Sequence, residues 1–302
     1  MNLLAALLVV LQPPATPPRP AVVRTEDVIY GRKHGMALVM DVYVPKEKRN
    51  GSGIIYVVSG GWFSSKESVA PQYYDSFLRR GYVVFAVTHG SQPRFTIPEV
   101  LEDMHRAVRF VRHNAKKWGV DPERLGVAGA SAGGHLSLMQ GCAPRDGQPK
   151  SDDPVEKETS RVAAVACFFP PTDFLNYGKP GEQALGTGVL RGYKAPFDFI
   201  EPDKAKGGFL VVTNPERRRE IGKRISPVYH VTAKSAPALI IHGEADDLVP
   251  FQQAELIIEK LKSAGVPCEL VRKPKQKHGW KGLERDFETL ADWFDKHLAK
   301  KE

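Results

Sequence analysis

One serine in this sequence stands between small residues on both sides, in Gly129-Ala130-Ser131-Ala132-Gly133. A sharp strand-to-helix turn that holds a hydroxyl clear of the backbone needs such flanks, because larger side chains would collide there. A serine hydroxyl is a weak nucleophile on its own. It needs a base to take its proton and an acid to hold that base. The sequence supplies both further on, in the order serine, acid, histidine. Asp246 follows the apolar run Leu239-Ile240-Ile241, and His278 follows the strand-like Cys268-Glu269-Leu270-Val271. Asp247, next to Asp246, and Asp173 are the competing acids. Among the other histidines, His242 is placed to support the acid loop and His135 falls on the helix after the serine. His34, His89, His105, His113, His230 and His297 have no placement equivalent to that of His278.

Attack of a serine on a carbonyl creates an oxyanion that two backbone N–H groups must bind. Ala132, directly after the nucleophile, is one expected donor. The second is expected from Ser59-Gly60-Gly61-Trp62-Phe63, with Gly60, Gly61 and Trp62 the candidates. Glycine lets the backbone come close to a substrate oxygen. Neither motif is decisive alone, since a glycine-rich crossover of any doubly wound sheet, or a plain turn, reads similarly.

The elements around these residues supply the context. Residues 22–30 and 36–44 alternate like two antiparallel strands, and 54–59, 82–88, 125–130, 162–169, 238–242 and 268–271 read as apolar strands. Helices are expected over 68–80, 97–118, from 132, over 251–263 and over 283–298. Apolar strands alternating with amphipathic helices imply an α/β fold with an eight-stranded, mostly parallel sheet covered on both faces. Such sheets build their sites at the carboxyl ends of strands, where Ser131, Asp246 and His278 all fall. Residues 172–230 break the rhythm and read as a cap inserted into one domain spanning 22–302.

Composition narrows the function classes. The chain has 302 residues, 42% hydrophobic and 26% charged, which is an ordinary globular balance. Three cysteines, Cys142, Cys167 and Cys268, make neither a disulfide framework nor a zinc pattern, so no metal and no cofactor is expected. The net charge of +8 comes without a basic stripe of interleaved aromatics, which argues against a nucleic-acid partner. No apolar run is long enough to span a bilayer. Residues 1–21 pair a short apolar run with a proline-rich stretch. They read as an export leader or a disordered lead-in, which places the protein in the periplasm or outside the cell and otherwise in the cytoplasm.

The serine motif with Gly134-His135, the loop His242-Gly243-Glu244-Ala245-Asp246 with Val249-Pro250, and His278-Gly279 resemble the α/β-hydrolase superfamily. Within it, residues 22–298 are similar to bacterial carboxylesterases of the acetyl-xylan, feruloyl and hormone-sensitive-lipase-like groups. Asp121-Pro122-Glu123-Arg124 ahead of the nucleophile strand fits the same pattern. Relatives commonly carry His-Gly-Gly-Gly at the oxyanion loop. Here Ser59 replaces the histidine and Trp62 the third glycine, so Gly61 and Trp62 are both open as donor.

The resemblance implies a serine hydrolase that cleaves short-chain esters, of acetyl or feruloyl type, on a small-molecule or carbohydrate alcohol. A polar cap mixing Phe174, Leu175, Tyr177, Phe197 and Phe199 with many charges, and Trp62 and Phe63 crowding the acyl side, point to short acyl groups. The alternative is that the cap aromatics only anchor it to the core. Two rival functions share the core: a prolyl-oligopeptidase-like peptidase, for which no repeat domain is visible, and a non-catalytic binding protein, against which the ordered triad argues.

Overall fold

The computed structural model describes residues 19–203 and 207–300. Of the leader expected over 1–21, residues 1–18 lie outside that range. Regular structure begins at Val22, and just before it the Ala21 carbonyl accepts the Lys46 amide at 3.0 Å.

The strands of the main sheet are β1 (Val22–Lys33), β2 (Met36–Pro45), β3 (Gly53–Val58), β4 (Val83–Thr88), β5 (Leu125–Ala130) and β6 (Ala164–Phe168). After a separate hairpin of β7 (Ile200–Pro202) and β8 (Phe209–Val211) come β9 (Ala238–Gly243) and β10 (Cys268–Lys273). Eight of them form one sheet in the order β1-β2-β4-β3-β5-β6-β9-β10. β1 with β2 and β2 with β4 run antiparallel, and every other pair is parallel. The expected sheet is therefore the observed one.

The central strands are apolar almost throughout because both faces are covered. One face packs on α2 (Ile97–Asn114), α3 (Ala132–Cys142) and α5 (Gln252–Ser263), the other on α1 (Asp75–Arg79) and α6 (Phe287–His297). α2 starts where Thr96 donates its amide to Glu99 Oε2 at 2.8 Å, a capping interaction followed by Pro98 in the first turn, where its missing N–H costs nothing.

Three helix expectations are corrected. The segment 68–80 is not one helix. Pro71 disfavours a helical Ala70, so two 3₁₀ turns, Lys66–Ser68 and Pro71–Tyr74, precede the five-residue α1. The helix from Ile97 tightens into a 3₁₀ turn over Ala115–Trp118 and stops at Gly119, whose φ of 68° is readily reached by glycine. The last helix is likewise split, with a 3₁₀ turn at Leu283–Asp286 ahead of α6.

Residues 172–230 do break the sheet rhythm. They carry the 3₁₀ turns Gly188–Tyr193 and Ala195–Phe197, the β7–β8 hairpin, and α4 (Pro215–Arg224). Their aromatic residues face inward: Phe174, Tyr177, Phe197 and Phe199 are all at most 2% exposed. They anchor the cap to the core. Among the described residues, no helix is long and apolar enough to cross a membrane.

Candidate active site

Ser131 sits between β5 and α3 with φ 54° and ψ −119°, a backbone state an L-residue enters only when its surroundings force it. Here the surroundings are specific. The Ser131 amide donates to the Phe168 carbonyl at 3.0 Å and its carbonyl accepts the His135 amide at 2.9 Å. Gly129 and Gly133 pack so closely that a Cβ on Gly129 would meet the Gly133 backbone at 2.6 Å, and one on Gly133 the Val57 carbonyl at 2.7 Å. The small residues of the motif are thus required by contact between α3 and the strands beneath it.

The turn aims the hydroxyl at His278. Ser131 Oγ lies 3.0 Å from His278 Nε2, and His278 Nδ1 lies 2.8 Å from Asp246 Oδ2. A carboxylate accepts only, so Nδ1 carries the proton and Nε2 is free to accept from the serine. Asp246 is fully engaged. Its Oδ1 accepts the Leu248 and Val249 amides at 3.0 and 2.9 Å, and its Oδ2 also faces His242 Nε2 at 3.2 Å. Burial raises the Asp246 pKa, but the hydrogen bonds from His242 and His278 and the Val249 amide outweigh it and hold the carboxyl well below its usual range. His242 Nε2 shares its N–H between Asp246 and the Val249 carbonyl at 2.9 Å, so His242 supports the acid as expected.

The competing acids are elsewhere. Asp247 pairs with Lys277 at 2.8 Å, with both side chains exposed. Asp173 accepts from Asn176 Nδ2 at 2.8 Å and from the Tyr229 hydroxyl at 3.2 Å. Neither bonds to His278.

The oxyanion loop is corrected in one member. Gly60 and Phe63 exchange both backbone bonds, at 3.0 and 2.9 Å, around a two-residue turn in which Gly61 and Trp62 have φ 54° and 59°. These are the signs of a mirror-image tight turn. The Gly60 amide is already donated to Phe63, so it is not available to an oxyanion. Gly61 and Trp62 are the donors this turn can offer, beside Ala132, which opens α3 and needs no intrahelical partner for its N–H.

The Trp62 side chain is also corrected. The positive φ swings it away from the acyl side into the core, where it is 2% exposed. Its indole Nε1 donates to His135 Nδ1 at 3.1 Å, between the rings of Phe174 and Phe197. Phe63 does project outward and is 48% exposed.

Two neighbours escape the sequence reading, and a third, His89, is set aside there among the histidines without the placement of His278. Phe169 holds its ring 4.5 Å from that of His278, from a φ of 34°. Tyr193 of the cap covers Gly61, where an added Cβ would lie 2.5 Å from its ring. His89, after β4, accepts from Ser59 Oγ at 2.8 Å through Nε2 while Nδ1 donates to the Gly90 carbonyl. Burial pushes His89 down to about 4, which keeps that tautomer neutral. His89 also follows a strand at its carboxyl end, the signal that picked out His278. So does Phe169, directly after β6, whereas Tyr193 carries no such signal.

The nucleophile elbow, the strand order and the end of the sheet at which the three residues meet define an α/β-hydrolase. The chain belongs to the BD-FAE family, whose model matches residues 40–261. It is 27% identical over 258 residues to esterase LipC of Mycobacterium tuberculosis, covering 83% of this chain and 60% of that protein. The chain spans 51–60% of the length of this and two further Mycobacterium tuberculosis relatives. Among solved structures it resembles a truncated carbohydrate esterase from gut microbiota, with a TM-score of 0.73 at 24% identity over 94% of this chain and all of that one. It also resembles the Thermogutta terrifontis esterase Est2 with propionate bound, with a TM-score of 0.67 at 26% identity over 94% of this chain and 97% of that one.

Proposed function

We propose that this protein hydrolyses carboxylic esters through an acyl-enzyme on Ser131. The observation that carries the reading is the unbroken hydrogen-bond chain from Ser131 Oγ through His278 to Asp246. His278 Nε2 takes the hydroxyl proton as Oγ attacks the ester carbonyl, and Asp246 stabilises the imidazolium that forms. Ala132 and the Gly61-Trp62 turn bind the oxyanion. The proton on Nε2 then passes to the departing alcohol. Water, activated by the same imidazole, attacks the acyl-enzyme and restores Ser131. The similarity to the esterase LipC and to the Thermogutta terrifontis esterase supports ester substrates. Labelling of the protein by a fluorophosphonate, together with turnover of p-nitrophenyl acetate, tests the reading; failure of both overturns it.

The substrate we infer is a short-chain ester, of acetyl or feruloyl type on a small-molecule or carbohydrate alcohol. The Tyr193 ring on Gly61 supports the short chain by closing the cap side of the oxyanion loop, and so does the propionate of the Thermogutta esterase. Each methylene that finds no apolar wall forgoes about 0.8 kcal/mol of binding. Across acetyl, butyryl, octanoyl and palmitoyl esters of one alcohol, kcat/KM is expected to peak at acetyl or butyryl. A peak at eight carbons or more overturns the short-chain assignment.

We further infer that the export leader expected over residues 1–21 ends before Arg19, so that residues 1–18 are outside the hydrolase domain and residues 19–21 belong to it. Since Arg19 touches Asp75 and Ala21 touches Lys46, the cut that tests this is before Arg19. Deleting 1–18 is expected to leave esterase rate and melting temperature unchanged. A fall of more than about 5 °C in a thermal melt would mean that the segment packs on the domain.

A further inference from the structure

Trp62 is an unusual occupant of its position. The second central residue of a mirror-image turn needs a positive φ, which glycine, asparagine and aspartate tolerate and a bulky aromatic does not. At 59° it is held there by its own side chain, buried edge-on against Phe197 at 5.2 Å between ring centroids and bonded through Nε1 to His135.

His135 is the fourth residue of α3, one turn beyond Ser131, and is 0% exposed. Its two ring nitrogens have different partners, and together these fix its chemistry. An indole N–H can only donate, so Nδ1 must accept. The proton is then on Nε2, which donates at 2.6 Å to the Ile225 carbonyl at the end of α4. Only the neutral imidazole in this tautomer satisfies both. Burial acts in the same direction, lowering the His135 pKa to about 4. The Ile225 end of the bond is itself anchored, since the next residue, Ser226, accepts the Phe174 amide at 3.0 Å and donates to the Gly222 carbonyl at 2.7 Å.

We propose that His135 is a positioning residue for the oxyanion site, tying the turn that offers the second donor to the nucleophile helix on one side and to the cap on the other. The inference rests on the reading of Ser131 as nucleophile. One imidazole joins the Gly61-Trp62 turn, the first turn of α3 with its Ala132 amide, and the segment closing the cap. The two oxyanion donors are thereby fixed relative to each other before substrate arrives. Donors fixed in advance act on the charge that develops in the transition state and little on the ground-state ester. Loosening the tie therefore lowers kcat and leaves KM near its original value.

The test uses Trp62→Phe, which keeps a ring in the core and removes the indole N–H, and His135→Leu, which removes both ring bonds. His135→Asn puts an acceptor near Nδ1 and is the conservative variant. Rates on p-nitrophenyl acetate are compared with inhibition by a trifluoromethyl ketone, whose serine adduct carries an oxyanion. For Trp62→Phe and His135→Leu, kcat is expected to fall about tenfold to a hundredfold, with KM within about threefold and ketone affinity falling in step with kcat. The double variant is expected to lose no more than the worse single one, because both remove the same bond. His135→Asn recovers most of the loss.

Ketone affinity unchanged in folded variants, or losses that multiply in the double variant, would overturn the proposal and leave His135 a packing residue. If His135→Leu fails to fold, Trp62→Phe and His135→Asn decide the question alone. Failure of the nucleophile reading looks different: the ketone then does not inhibit the unmodified protein at all.

Discussion

Replacing Ser131 by alanine is expected to lower kcat on p-nitrophenyl acetate by about a thousandfold or more, and to abolish labelling by a fluorophosphonate. The fold is expected to survive. Among the described residues Oγ is bonded only to His278 Nε2, while the elbow itself is held by the backbone bonds to Phe168 and His135. Alanine meets the same positive φ that serine already tolerates, so the substitution adds no new strain. The residual rate reports what the oxyanion donors and substrate binding accomplish without a nucleophile. Circular dichroism and a thermal melt establish folding. Activity within tenfold of the parent in a folded variant would remove Ser131 from the mechanism.

The second large effect is expected at the acid. Asp246→Asn replaces an oxygen that accepts from both imidazoles, or one that accepts two loop amides, by an NH₂ group that can only donate. Backbone amides cannot give up their protons and an imidazole can move its own, so the NH₂ turns to the imidazoles and the remaining oxygen keeps the loop amides. His278 is then driven toward the tautomer with its proton on Nε2, where it can no longer accept from Ser131. A loss of about ten-thousandfold in kcat is the expected scale. Asp247→Asn breaks only an exposed ion pair with Lys277 and is expected to stay within about twofold. Parallel kcat measurements on the two variants check the assignment, and a reversed order would mean that the loop register is misread.

The residues that could be found from sequence share one property: their positions follow from strand ends. Leu125–Ala130 running into a small-residue helix placed Ser131, and Asp246 and His278 were found because each trails an apolar strand. Where backbone conformation redirects a side chain, sequence falls short. Nothing in the string Gly60-Gly61-Trp62-Phe63 announces that Gly60 gives its amide to Phe63, or that a positive φ sends the indole inward. Contacts between distant segments are equally silent. Phe169 against His278, Tyr193 over Gly61 and His89 behind Ser59 each join parts of the chain that only the completed sheet brings together. Pro71 is legible in the sequence as the break in the segment 68–80, because it disfavours a helical Ala70, which periodicity alone does not register.

The order of strands in the sheet also sets when the molecule becomes competent. β1 to β6 are neighbours of one another, so the first 168 residues contain every pairing on that side of the sheet and the whole serine elbow. β9 then docks on β6 across the inserted cap, and β10 on β9 at the open edge. Asp246 and His278 arrive only with those last two strands. A chain emerging from the ribosome amino end first therefore carries every strand around Ser131 before Asp246 and His278 are available to join it. β10 is an edge strand, largely half-exposed and paired on one side only, so fraying there takes His278 out of register while the serine and the rest of the sheet remain intact. On this order the hydrogen-bond chain from Ser131 through His278 to Asp246 is the last part of the site to form and the first that fraying at the sheet edge breaks.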